Sequence, residues 1–149
     1  MIQTIIHEME QQFNQYFKPF LNPPASLQKI KEVEQKMGIT FPEDVKTLYL
    51  THDGENDEGP GLFFGLSFLS LESMLAEWKN CFELSDDEEL QQIESYSVPE
   101  GAIKEQYLNR YWIPIAHDHG GNFLGIDLEP DSNGIYGQLI NFGRDETVK

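Results

Sequence analysis

His117 and His119, with Asp118 between them, have the spacing in this sequence that best suits a metal. On an extended segment an H-x-H pair sends both imidazoles to one face, and zinc or another transition metal then needs a third and usually a fourth ligand close by. The surrounding stretch, WIPIAHDHGGN, turns at Gly120 and Gly121. The turn sets Asn122, Phe123 and Leu124 opposite the histidines and leaves Asp127 and Glu129 farther down the returning strand. His7 and His52 could arrive only through tertiary folding. A metal-dependent enzyme centred on His117 and His119 is therefore the least favoured reading, and no metal or other cofactor is expected.

Two acidic stretches have part of a calcium-loop pattern. In EPDSNG, Glu129, Asp131, Asn133 and Gly134 fall at the first, third, fifth and sixth loop positions, but the twelfth is Ile140, which cannot give the bidentate carboxylate. In DGENDEG, Asp53, Glu55 and Asp57 alternate suitably, yet Glu58 stands where glycine is needed and Phe64 at the twelfth position. Nucleophilic catalysis has even less support. GLSFL at 65–69 begins like a nucleophile elbow but has Leu69 in place of its second glycine, and Cys81 lies on an apolar helix stripe. Phosphate-binding GxxxxGK[ST] and GxGxxG patterns are missing, so no enzyme class emerges.

The elements that would position these residues are helical in the first half and strand-like at the end. Ile2, Ile5, Ile6, Met9, Phe13, Tyr16, Phe17 and Phe20 recur at helical spacing, which predicts an N-terminal amphipathic helix over 1–21, stopped by Asn22, Pro23 and Pro24. Ser26 can cap a second helix with Leu27, Ile30, Val33 and Met37 inward and Gly38 just past its end. Pro42 suits the first position of a third, with Val45, Leu48 and Tyr49 buried. Residues 62–69 read as a short buried strand or pair of strands. Ser70 then caps a helix burying Leu71, Met74, Leu75, Trp78, Cys81 and Phe82. SDDEELQQIESYS is weakly periodic and reads as a frayed helix or a mobile surface loop. Strands are expected near 111–116, 123–128 and 135–142. The pattern predicts one α+β domain over 1–149, a mainly antiparallel sheet with amphipathic helices packed around it.

Charge narrows the partners. Acidic residues outnumber basic ones 26 to 10, leaving a net charge of −16, which repels nucleic-acid phosphates and anionic lipid headgroups and attracts a basic protein. Two clusters are candidate partner-binding residues: Asp53, Glu55, Asp57 and Glu58, and Asp86, Asp87, Glu88 and Glu89. The single cysteine excludes an internal disulfide. The N-terminus lacks the basic and apolar regions of a secretion signal, and LFFGLSFLSL falls short of the roughly 20 residues of a membrane span. A cytoplasmic setting is expected.

ASLQKIKEVEQKMGITFPEDVKTLYLTHDG, FLSLESMLAEW and VPEGAIKEQYLNRYWIPIAHDHGGNFLGIDLEPDSNGIYGQLINFGRDE, in this order, resemble the SUKH superfamily over residues 25–149. The resemblance implies an α+β fold and binding without catalysis. Bacterial members are typically immunity proteins that neutralise a cognate toxin, such as a nuclease, and a fungal relative regulates cell-wall synthesis. Trp112, Pro114, Gly121, Asn122, Asp127, Gly137 and Gln138 match the family pattern. Architectural roles are expected for most: Trp112 in packing, Gly121 and Asn122 in the turn, and Gly137 at a close approach of backbones. Asp127 either hydrogen-bonds a neighbouring loop or faces a pocket. Many members carry a further C-terminal helix, which this sequence lacks, so helix one or a second copy of the chain, in a homodimer, is expected to cover that sheet face. The leading expectation is an immunity protein binding a basic toxin, with a general regulatory interaction module as the alternative.

Overall fold

The structure is a computed structural model that describes residues 1–12 and 14–149. The fold is α+β, and the chain divides into two compact units, residues 1–73 and 74–149.

In the first unit, α1 (Ile2–Gln12) and α2 (Asn14–Phe17) are followed by a 3-10 turn at Lys18–Phe20, so the α-helix expected to run to residue 21 ends at Phe17. Pro19, which has no N–H to donate, lies in that turn and bars continuation of the α-helix. Ile2 is buried, whereas Tyr16 is exposed. Phe13 and the Met9 side chain, both on the expected stripe, lie outside the described residues.

Helix α3 (Leu27–Met37) starts where the Ser26 hydroxyl accepts from Lys29 N–H, and stops at Gly38, whose φ of 66° is the left-handed conformation that glycine tolerates. Ile30, Val33 and Met37 face the core as expected, but Leu27, in the first turn, is exposed. Pro42 sits one residue earlier than expected, as the N-cap of α4 (Glu43–Thr51). Val45, Leu48 and Tyr49 of α4 are buried. Glu34 joins the two helices, accepting from Phe41 N–H at 2.7 Å with Lys46 Nζ at 3.8 Å. The Tyr49 hydroxyl donates to Leu69 O, and Phe68 packs between the rings of Tyr49 and Phe63. Of the expected strand at 62–69, only β1 (Ser67–Phe68) forms, preceded by an isolated bridge between Phe63 and Leu66.

Helix α5 (Leu71–Ser85) follows Ser70, whose hydroxyl accepts from Ser73 N–H. Leu71, Met74 and Trp78 are buried, while Leu75, Cys81 and Phe82 are half-buried. After a one-turn helix, α6 (Glu88–Gln91), the second unit holds an antiparallel meander of β2 (Trp112–His117), β3 (Asn122–Asp127) and β4 (Gln138–Gly143). Residues 112–116 of β2 are all buried, so this strand is covered on both faces. Pro114 faces Gly125 and Ala116 faces Leu124, leaving Ile115 as the extra residue of a bulge beside the proline, which cannot donate to a ladder. Trp112, Phe123, Ile140 and Phe142 pack with Tyr107 and Leu108 into the core of this unit.

Candidate functional site

Of the family-pattern residues, Trp112, Gly137 and Gln138 surround Asp127, at the end of β3. Trp112 and Gln138 are its register partners on the flanking strands. Asp127 is fully buried, and its carboxylate accepts from Gln138 Nε2 at 3.0 Å and from Glu129 N–H at 2.9 Å. The Gln138 amide also donates to Ala102 O at 2.8 Å and accepts from Ile135 N–H at 3.0 Å, fastening two loops to the sheet. Burial pushes the Asp127 carboxyl above its ordinary value, opposed by hydrogen bonds from Gln138, Glu129 N–H and Trp112 and by the Lys104 charge. Trp112 Nε1 meets no acceptor at full hydrogen-bond geometry, yet it helps to lower the Asp127 pKa. Asp127 therefore bonds the neighbouring loop and is not presented to a ligand.

Glycines around this cluster divide by cause. Gly137 has φ of 81°, but a Cβ there would meet open space, so its backbone conformation and not a close approach calls for glycine. The close approach lies at Gly134, where a Cβ would stand 2.0 Å from Ala102 O. In loop 129–134 the Glu129 carboxylate accepts from Lys104 Nζ at 2.6 Å and Asn109 Nδ2 at 3.1 Å, and Lys104 holds it below its ordinary value.

At the hairpin corner, Asp118 and Asn122 hold each other. The Asp118 carboxylate accepts from Gly120 N–H, Asn122 N–H and Asn122 Nδ2, and these bonds, the Asn122 side chain first, lower its pKa. Asn122 also bonds Asp145 in both directions, and Gly121 takes φ of 93°. The His117 and His119 rings are tilted 49° to each other with centroids 4.1 Å apart, and Glu77 Oε1 lies 3.8 Å from His117 Nδ1. Among the described residues, no group of three or more His, Cys, Asp or Glu side chains could hold a metal ion. Beside the corner runs a groove of about 440 Å³ whose walls include Cys81, Leu84, Leu90, Tyr107 and Phe123. Burial pushes the Cys81 thiol up to about 12, helped by the Glu77 charge, and the side chain packs against the core of this unit.

The acidic residues differ in role. Asp53 Oδ1 accepts from Leu71 N–H and so caps α5. Glu55 does not join an acidic surface: it is buried, and its carboxylate accepts from the N–H groups of Gly61, Leu62 and Phe68. Both carboxylates of DGENDEG at its first and third loop positions are thus committed to backbone N–H groups. Asp57 and Glu58 are exposed. So are Asp86, Asp87, Glu88 and Glu89, with Asp87 also capping α6.

The sequence model of the SMI1/KNR4 family (SUKH-1) matches residues 24–149. The chain belongs to that family. Among SMI1/KNR4 relatives, the cell wall assembly regulator SMI1 of Saccharomyces cerevisiae is 28% identical, over 87% of this chain and 32% of its own length. The cell wall biosynthesis/cell cycle regulator smi1 of Schizosaccharomyces pombe is 33% identical, over 84% of this chain and 27% of its own. The glucan synthesis regulatory protein of Neurospora crassa is 28% identical, over 87% and 31%. The chain thus spans about a third of the length of these regulators.

Two residues of this SMI1/KNR4 domain carry structure that no motif signals. One is Glu55, whose DGENDEG setting reads as solvated loop. The other is Lys149, whose ammonium is buried against Ser95 Oγ and Glu146 O and lies over the rings of Trp112 and Tyr107. Burial lowers its pKa to about 8, partly opposed by the Glu146 charge.

Proposed function

We propose that the domain is a non-catalytic regulatory interaction module that acts in the cytoplasm by binding a basic protein partner through its exposed acidic loops. The observation that carries this reading is the family match through residues 24–149, whose full-length relatives are named as regulators. The groups best placed for chemistry are already engaged: Asp127 bonds a strand and a loop, and Glu55 and Glu129 hold backbone or cation partners. The net charge of −16 and the exposed Asp57, Glu58, Asp86 and Asp87 favour a basic partner and disfavour nucleic acid or an anionic membrane. No helix among the described residues is long and apolar enough to cross a membrane.

Affinity capture on the immobilised chain from its cells of origin, followed by stopped-flow association with the purified partner, tests this. Reversing Asp57 and Glu58, or Asp86 and Asp87, to lysine should slow association about tenfold and flatten its salt dependence. Unchanged kinetics in both pairs would remove the acidic loops from the interface.

Acidity also favours a second reading, neutralisation of a cognate basic toxin such as a nuclease. Co-expression with any toxin encoded beside this gene decides it. Protection of the cell supports immunity, and continued killing with no complex formed rejects it.

A further inference from the structure

In the first unit, Phe63 and Phe64 are treated in opposite ways. Phe63 is 5% exposed and packs edge-on against Phe68, whereas Phe64 is 95% exposed, as bare as a phenylalanine in an unfolded chain. Phe64 also has φ of 57°, in the left-handed region where a bulky residue is an outlier. The loop does not acquire this shape by default. Phe63 and Leu66 exchange backbone hydrogen bonds, and Gly65 N–H donates to Gly61 O at 3.1 Å. A Cβ on Gly61 would stand 2.3 Å from the Gly65 carbonyl, so the turn closes too tightly for any other residue there. From beneath, the buried Glu55 carboxylate holds the N–H groups of Gly61, Leu62 and Phe68. An aromatic ring that contributes nothing to the core is thus held outward by a buried carboxylate, two glycines and a strained backbone.

We propose that Phe64 is the anchor of a protein interface, entering an apolar pocket on a partner whose rim carries lysine or arginine. Backbone strain kept at an exposed position is a mark of function, and rigid aromatic side chains lose little entropy on insertion. The partner's chemistry follows from the same loop. Glu55 closes residues 55–61 into a ring through Gly61 N–H, and the exposed Asp57 and Glu58 lie within that ring, about two turns of chain before Phe64. Their charges repel an anionic bilayer or a phosphate backbone and attract a cationic protein rim. The inference rests on the interaction-module reading above and names where the contact centres.

The test replaces Phe64 by p-benzoylphenylalanine in the full chain, irradiates cells of origin, and sequences the cross-linked peptides, with the exposed Glu72 as control position. Expected is a position-64 adduct to one protein, at apolar residues bordered by lysine or arginine, lost on reversing Asp57 and Glu58. Adducts only to lipid or to a second copy of this chain, or no adduct above the control, would overturn the proposal. Binding to the purified partner follows. Phe64→Ala should weaken it roughly thirtyfold. Phe64→Gly should weaken it as much while leaving the melting temperature equal or higher, because glycine relieves the left-handed backbone. A partner that binds wild type and both variants alike sinks the anchor while leaving the interaction module standing; a chain that captures no partner sinks both.

Discussion

Asp127 and Gln138 face each other across β3 and β4, the buried carboxylate accepting from the side-chain amide at 3.0 Å. That amide cannot turn round to suit another partner, because its oxygen already accepts from Ile135 N–H and its nitrogen also serves Ala102 O. Asp127→Ala removes the side-chain acceptor of Glu129 N–H and one of the two acceptors of the Gln138 amide, and should cost about 3 kcal/mol in urea unfolding. Asp127→Asn keeps the shape but opposes one amide N–H to another, and should cost about 1–2 kcal/mol. An alanine variant as stable as wild type would refute the structural role.

Protonation of Asp127 should also register. Its folded pKa lies above the ordinary 3.8, so the folded state holds this proton more readily than the unfolded chain. The stability from this group is complete below the unfolded value and is lost as pH rises through the folded one. Relative to Asp127→Asn, wild type should therefore lose stability as pH rises from about 4, where the shift begins; a difference that grows in the opposite direction would contradict the burial argument.

Lys149 titrates in another window. Its folded pKa of about 8 lies below the ordinary 10.5, so between those values the unfolded chain binds a proton that the folded chain has released. Stability from this group is complete above the unfolded value and falls as pH drops through about 8. Thermal unfolding of wild type minus Lys149→Met should show this rise from about 8 to 10.5, and a flat difference would show the ammonium to be solvated when folded.

Glycines 134 and 137 should respond unequally. Gly134→Ala drives a methyl into Ala102 O and should cost about 3 kcal/mol or prevent folding, whereas Gly137→Ala adds only left-handed strain, about 1 kcal/mol. Equal losses in chemical denaturation would put the close approach in the wrong place.

Glu55 is expected to behave as a core residue despite its acidic surroundings. Glu55→Ala leaves the N–H groups of Gly61, Leu62 and Phe68 without their acceptor and should lower stability by about 2–3 kcal/mol, with faster amide exchange confined first to residues 61–68. Asp57→Ala, at an exposed position, should stay within about 0.5 kcal/mol of wild type.

What was legible in the sequence was whatever local chemistry dictates. Ser26 and Gly38 bound α3 because a hydroxyl can cap an open N–H and glycine can turn left-handed, and the three strands of the meander fall within three residues of where apolar runs and turn residues set them. Corrections arise where a residue's meaning depends on what folds against it. Glu55 and Asp57 are the same kind of residue two positions apart, yet one is buried under three N–H donors and the other is solvated. The close approach expected at Gly137 lies at Gly134 instead, because only the return of the 101–102 loop decides which glycine meets a carbonyl. The sequence by itself determined α3, α4 and α5, the strand meander and the family. Tertiary structure alone decided which carboxylates are buried and which phenylalanine is presented, because desolvation and hydrogen-bond supply come from residues distant in the chain.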